Sequence, residues 1–273
     1  MPRDHAPRLL ALLPALAVWA ALAAPAPARA GIRNTSHDLS YSSANSSGIK
    51  ALNAADNDVC KFCHTPHNAS TTRGLWNHKD TTVSSYNSNG SGGQLTTSAG
   101  TPLPSSMRAE TKRCLACHDG TVELGAVMNS GGVSTSIPMT GVTANKLSLA
   151  TDSTYVVGNS GDMSAQHPVG IPYAAQTSSY NGITSKAGPA DGTTGNYYAP
   201  LTTGCLSPST YCTAAPNNGV QSGKLINLIR DSSTGGLGVE CTTCHDPHNN
   251  ANGTFLRVLE GTGDGLCRSC HNK

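Results

Sequence analysis

Charge and aromatic side chains are both scarce in this chain. Of 273 residues only 12% are charged and 4% are aromatic, with two Phe and two Trp in all. Aromatic residues bring the largest buried areas to a core, so so few of them exclude an ordinary aromatic-centred core for a chain this long. Beyond the first 30 residues there is no long apolar run, which leaves no further stretch able to cross a bilayer as a helix. A surplus of either charge is missing as well: 18 Lys and Arg face 16 Asp and Glu. What is abundant is Gly, Ser, Thr and Asn, 108 residues together, and Cys, with 10. Disordered chains are charge-rich and cysteine-poor; this one is the reverse, so the cysteines are the first candidates for what holds it together.

Residues 1–30 read as a secretory signal peptide. Arg3 and Arg8 start it, Leu9 to Ala24 is an apolar run interrupted by Pro14, and Ala28-Arg29-Ala30 is a small-x-small cleavage site before Gly31. A membrane anchor is the alternative, but the run is short for a span. Removing the leader takes away three Arg and one Asp, leaving 15 basic against 15 acidic residues in Gly31–Lys273. A net-neutral mature chain lacks the electrostatic footprint of nucleic-acid binding. The expected location is secreted, extracellular or at the cell surface, with the periplasm as the alternative, and such compartments are oxidising.

Eight of the ten cysteines fall in one repeated phrase. Cys60-x-x-Cys63-His64 (site 1), Cys114-x-x-Cys117-His118 (site 2), Cys241-x-x-Cys244-His245 (site 3) and Cys267-x-x-Cys270-His271 (site 4) each read C-x-x-C-H, the attachment motif of haem c. Two thiols at that spacing reach the two vinyl groups of one porphyrin, and the adjoining His ligates the iron. Zinc sites use paired C-x-x-C without requiring His after each pair. Redox dithiols use it once, near a βαβ pattern. The expectation is four covalently bound haem c groups.

The histidine supply matches four six-coordinate irons. With His64, His118, His245 and His271 as proximal ligands, the mature chain keeps His37, His67, His78, His167 and His248. His37, His67, His167 and His248 are the distal candidates. His78, beside Trp76 in Leu-Trp-Asn-His, is the weaker one, and Trp76 is expected to pack on a porphyrin. Met107, Met128, Met139 and Met163 lie in polar stretches without special spacing. Bis-His ligation gives lower potentials than His/Met.

The chain also carries an internal duplication. Cys60-x-x-Cys63-His64-x-Pro66-His67-Asn68 matches Cys241-x-x-Cys244-His245-x-Pro247-His248-Asn249, and a plainer C-x-x-C-H follows each copy. The second His of each copy lies too close in sequence to its proximal partner to ligate the same iron from the other face, so His67 and His248 are expected to serve a neighbouring haem, with a propionate or carbonyl partner as the alternative. The organisation reads as one tetrahaem domain over 31–273: a first pair in 31–118, a Ser/Thr/Gly-rich insert in 119–240 and a second pair in 241–273. Within the insert, Thr154–Val157 and Lys224–Arg230 read as short strands, and Cys205 and Cys212 as a disulfide. No Gly-x-Ser-x-Gly, phosphate loop or zincin helix occurs, so no catalytic residue is assigned and no enzyme is expected. The fold class expected is mostly coil, with short helices at the C-x-x-C-H motifs and a few short strands organised around a chain of four haems.

These phrases resemble the doubled-CxxCH multihaem c-type cytochromes. With the secretory leader, Asn34-Thr35-Ser36-His37-Asp38-Leu39-Ser40, Leu75-Trp76-Asn77-His78 and His167-Pro168-Val169-Gly170, the chain looks more narrowly like tetrahaem subunits of extracellular cytochrome filaments, the nanowires of metal-reducing bacteria. The likeness covers the haem motifs and short flanks. It implies a haem chain that is bis-His throughout and continues across subunit interfaces, with one distal His given by a neighbouring subunit, and His67 is the first candidate for that. It implies self-association into filaments, with other redox proteins or extracellular electron acceptors as partners. A soluble periplasmic shuttle and a multihaem reductase with a five-coordinate iron are the alternatives. Four ferric bis-His haems, each about −1 with ionised propionates, would turn the neutral apoprotein into an acidic holoprotein of about −4.

Overall fold

The structure, a computed structural model, describes residues 31–69, 75–86, 109–167, 169–172, 187–188, 197–198, 211–213, 226–230, 237–258 and 266–270. The leader 1–30, His271, Cys205 and Met107 lie outside these residues, as does the side chain of Cys212, so the disulfide expectation lies outside them too.

The described chain is mostly coil with short elements. The strands are β1 (Lys50–Ala51), β2 (Ala126–Ser130), β3 (Val133–Ser136), β4 (Met139–Thr140), β5 (Ile171–Pro172), β6 (Ala187–Gly188), β7 (Tyr197–Tyr198), β8 (Tyr211–Thr213), β9 (Ile226–Arg230) and β10 (Leu237–Val239). Two α-helices, α1 (Ala109–His118) and α2 (Cys241–Cys244), both carry C-x-x-C motifs. No helix of the described residues is long and apolar enough to cross a membrane.

Helix content at the four motifs is uneven. α1 forms because Ala, Glu, Lys, Arg and Leu are good helix formers, with Glu110 in the first turn and His118 in the last, matching the helix dipole. It stops at Gly120, whose φ of +74° is left-handed and where a Cβ would lie 2.8 Å from the Leu147 carbonyl oxygen. Site 3 has one helical turn, and Cys267–Ser269 of site 4 is a 3-10 turn. Site 1 is a turn only, closed by the His64 amide donating to the Cys60 carbonyl at 2.8 Å.

β9 lies within the strand expected over Lys224–Arg230. Thr154–Val157 is not a strand. Its backbone is used elsewhere: the Val157 amide donates to the His118 carbonyl at 2.8 Å and the Tyr155 carbonyl accepts from the His118 ring. A segment committed to a single histidine has no groups left for a ladder.

Sheet topology places the sites. β5, β10, β9 and β8 form one antiparallel sheet in that order. β10 ends at Val239, and Glu240 and Cys241 follow directly, so the end of this interior strand aims site 3. β5 brings the segment after His167 beside β10, with the Gly170 amide donating to the Val239 carbonyl at 2.8 Å. β2 and β3 form a bulged hairpin, and β1 pairs with β4.

Two apolar clusters replace one large core. The first gathers Phe62, Val127, Ile137, Met139 and their neighbours, with Cys63 and Cys117 packed against it. The second gathers Tyr86, Leu115, Met163, Leu228 and Val239, with Cys241 and Cys270 against it. Attachment thiols therefore border both clusters. Met139 and Met163 are buried packing residues, 7% and 2% exposed.

Candidate haem sites

The two long motifs build the same scaffold. In the first, the Thr65 amide donates to the Leu75 carbonyl at 2.9 Å and the Asn77 amide to the Cys63 carbonyl at 2.9 Å. In the second, the Asp246 amide donates to the Phe255 carbonyl at 2.7 Å and the Arg257 amide to the Cys244 carbonyl at 2.9 Å. His64 thus bridges Trp76, and His245 bridges Leu256. The side chains match too. Asn77 Nδ2 donates to the Lys61 carbonyl at 2.6 Å, and Arg257 Nε donates to the Thr242 carbonyl at 2.8 Å. Lys61 and Thr242 hold the same place in the motif, so each returning segment locks its C-x-x-C turn with one donor.

Proximal histidines are oriented from behind. His118 Nδ1 donates to the Tyr155 carbonyl at 2.6 Å, and His245 Nδ1 to the Thr254 carbonyl at 2.9 Å. A carbonyl only accepts, so Nδ1 carries the proton and Nε2 keeps its lone pair for a metal.

Two imidazole pairs lie close together. The rings of His37 and His118 have centroids 6.0 Å apart, edge-on at an interplanar angle of 61°, and those of His64 and His248 are 5.9 Å apart at 23°. Two imidazoles on opposite sides of one metal, each nitrogen about 2 Å from it, have centroids about 6 Å apart. These residues therefore fit an iron with two axial histidines. A third ring contact sets His37: it stacks on Phe255 at 4.1 Å and donates to the Pro247 carbonyl. Burial, and then the nearby His118, lower its pKa to about 4, so the ring is neutral, as a ligand must be, at neutral pH. Burial lowers His118 in the same direction.

The Asn34–Ser40 stretch is a built loop. The fully buried Asp38 accepts from the Asn34 amide at 2.7 Å and from the Ser40 hydroxyl at 2.5 Å, and its carbonyl accepts from Asn45 Nδ2 at 2.9 Å. A carboxylate held this way fixes the backbone on either side of His37.

The other candidates are placed differently. His67 is exposed; its carbonyl is held by the Thr65 hydroxyl at 2.9 Å and Asn129 Nδ2 at 2.7 Å. His167 is exposed, just before β5. His78 is 1% exposed, with Nδ1 2.7 Å from the Lys79 carbonyl, Nε2 3.1 Å from the Glu123 carbonyl and Nε2 3.5 Å from Cys117 Sγ. Trp76 stands edge-on to His64, centroids 6.1 Å apart.

Cys60 and Cys267 are exposed, and the other six motif cysteines are half-buried. Burial pushes Cys63, Cys117 and Cys244 up to about 12. Among the described residues, no three or more His, Cys, Asp or Glu gather in a group that could hold a metal ion. A haem iron needs only its axial pair from the protein.

Residues 236–273 match the doubled CXXCH motif family. The matched stretch contains sites 3 and 4. The match supports a multihaem c-type cytochrome with covalently held haem c, a class that works in electron transfer. No curated protein matches the chain.

Several residues of these sites carry no sequence signal. Tyr155 and Thr254 act through backbone carbonyls, which every residue has. Asn77 and Arg257 stand outside the C-x-x-C-H phrase, and only the return of the chain reveals their shared role.

Proposed function

We propose that this chain is a secreted tetrahaem c-type cytochrome that carries electrons as a subunit of an extracellular filament. The observation that carries the electron-transfer part is the two close imidazole pairs, His37 with His118 and His64 with His248, each about 6 Å apart. An iron held by two imidazoles has no open position for a substrate, so it changes oxidation state without changing ligands. Bound haem supplies a one-electron couple at each site.

The chain's own residues do the rest. Cys60 and Cys63, Cys114 and Cys117, Cys241 and Cys244, and Cys267 and Cys270 hold the four porphyrins. Tyr155 and Thr254 hold the proximal rings in the ligating tautomer.

The exposure of His67 supports the filament reading. Its counterpart His248 is exposed as well but lies beside the His64 ring of this chain, while His67 makes no ring contact among the described residues and is open to serve a neighbouring copy. Intact mass and the pyridine haemochrome count the haems; fewer than four refute the tetrahaem reading. Carbon monoxide added to the reduced protein leaves the spectrum of a pure carrier unchanged, and a strong shift in one haem would favour a reductase. Negative-stain microscopy of secreted material is expected to reveal filaments; monomers at every concentration would favour a soluble periplasmic shuttle.

A further inference from the structure

We infer that Thr111 and Glu240 form a clasp that seats the site 2 helix on the site 3 helix and so sets the porphyrin contact by which electrons cross between the two halves of the chain. The inference rests on the electron-transfer reading above.

Thr111 lies one turn before Cys114 on α1, on the face that carries that thiol. It is fully buried, and its hydroxyl donates to the carboxylate of Glu240, 129 residues away and equally buried. The same hydroxyl accepts from the Cys241 amide at 3.3 Å. Glu240 also N-caps α2, its carboxylate accepting from the Thr243 amide while its own amide donates to Thr243 Oγ1 at 2.9 Å. One hydroxyl and one carboxylate thus tie α1 to the start of α2. At that junction the Cys114 and Cys241 thiols are hydrogen-bond neighbours.

Haem attachment would join each of these sulfurs to a porphyrin vinyl group, so Cys114 and Cys241 would hold two porphyrins with their edges close together. A purely apolar seam would let the helices slide, whereas a buried hydroxyl and carboxylate are costly unless paired and so favour one register. The step served is a single-electron exchange: Fe(II) at site 2 becomes Fe(III) as Fe(III) at site 3 becomes Fe(II), with no bond or proton moved.

Soret circular dichroism of the four-haem protein tests this, because contact between porphyrins gives a bisignate band. Thr111→Val is expected to lose much of that amplitude while keeping its haem count and low-spin absorbance, and Thr111→Ser to retain it. Glu240→Gln, which keeps an acceptor for the hydroxyl, is expected to match wild type, and Glu240→Met to follow Thr111→Val. Wild-type amplitude in both Val and Met proteins overturns the clasp. So does equal loss in Ser and Val, which would make the effect one of bulk. Loss of haem from both Val and Met proteins overturns it as well, by making the contact a folding requirement. A wild-type protein with fewer than four haems would instead refute the tetrahaem reading.

Discussion

His67 and His248 hold the eighth place of the same nine-residue phrase and both are exposed, yet among the described residues only His248 lies beside another imidazole, its ring 5.9 Å from that of His64. The scaffolds beneath them agree bond for bond, from the bridge at Trp76 or Leu256 to the donor at Asn77 or Arg257. What differs is the neighbourhood. The turn after site 1 packs against the β2–β3 hairpin, whose Asn129 takes the His67 carbonyl and leaves the ring outside. The turn after site 3, though exposed, lies beside His37 and His64. Asp246 binds the His248 amide at 3.1 Å and Arg257 at 3.4 Å, and Pro247 lies against His37. A duplicated motif therefore duplicates a local mould, while the partner of its last residue depends on what packs around it.

The sharpest way to break this comparison is to remove each histidine in turn. His248→Ala is expected to make one iron high-spin in the isolated protein, visible by EPR. His67→Ala is expected to leave the spectrum of the isolated chain unchanged and to alter only assembled material. Equal spectra from the two variants would erase the asymmetry.

A second test concerns the mould itself. Phe62, 1% exposed, sits inside the site 1 turn and the first apolar cluster. Phe62→Ala should cost about 3–5 kcal/mol, measured by denaturant unfolding of the holoprotein. Its counterpart Thr243 is polar and buried, so site 3 relies on the cap rather than on apolar filling.

The joint between the repeats should show a pH dependence. His37 has an ordinary pKa near 6.5 when unfolded and about 4 when folded, so the unfolded state binds the extra proton. An imidazole kept neutral in the folded protein binds its proton only on unfolding, so stability is complete above about pH 6.5 and declines as the pH falls below it. Melting of wild type and His37→Ala between these limits measures it; parallel curves would contradict the burial of His37.

The smallest effect is expected at Arg257. Its ion pair with Asp246 is partly exposed and 3.4 Å long, so Arg257→Gln should cost about 1 kcal/mol, read as a small fall in melting temperature. If Gln restores the bond to the Thr242 carbonyl, as Asn77 does for Lys61, the loss will be smaller still.

How much of this could be read beforehand varies by residue. The scarcity of aromatic residues foretold two modest clusters in place of one large core. Coil with short strands followed from the Gly, Ser, Thr and Asn content. Thr154–Val157 misled, because a β-branched run is equally good material for a segment that clasps one histidine. The buried acids Asp38 and Glu240 were invisible, since an acidic residue in a polar stretch reads as solvated until its partners are known.

The sequence by itself determined the chemistry. Two thiols and an imidazole within five residues define a haem attachment site wherever the chain runs, because the spacing is local. The tertiary structure alone decided which imidazoles lie together, which duplicate histidine has one beside it and where Thr111 meets Glu240. Those relations join residues as much as 129 positions apart, and only packing and buried hydrogen bonds specify them.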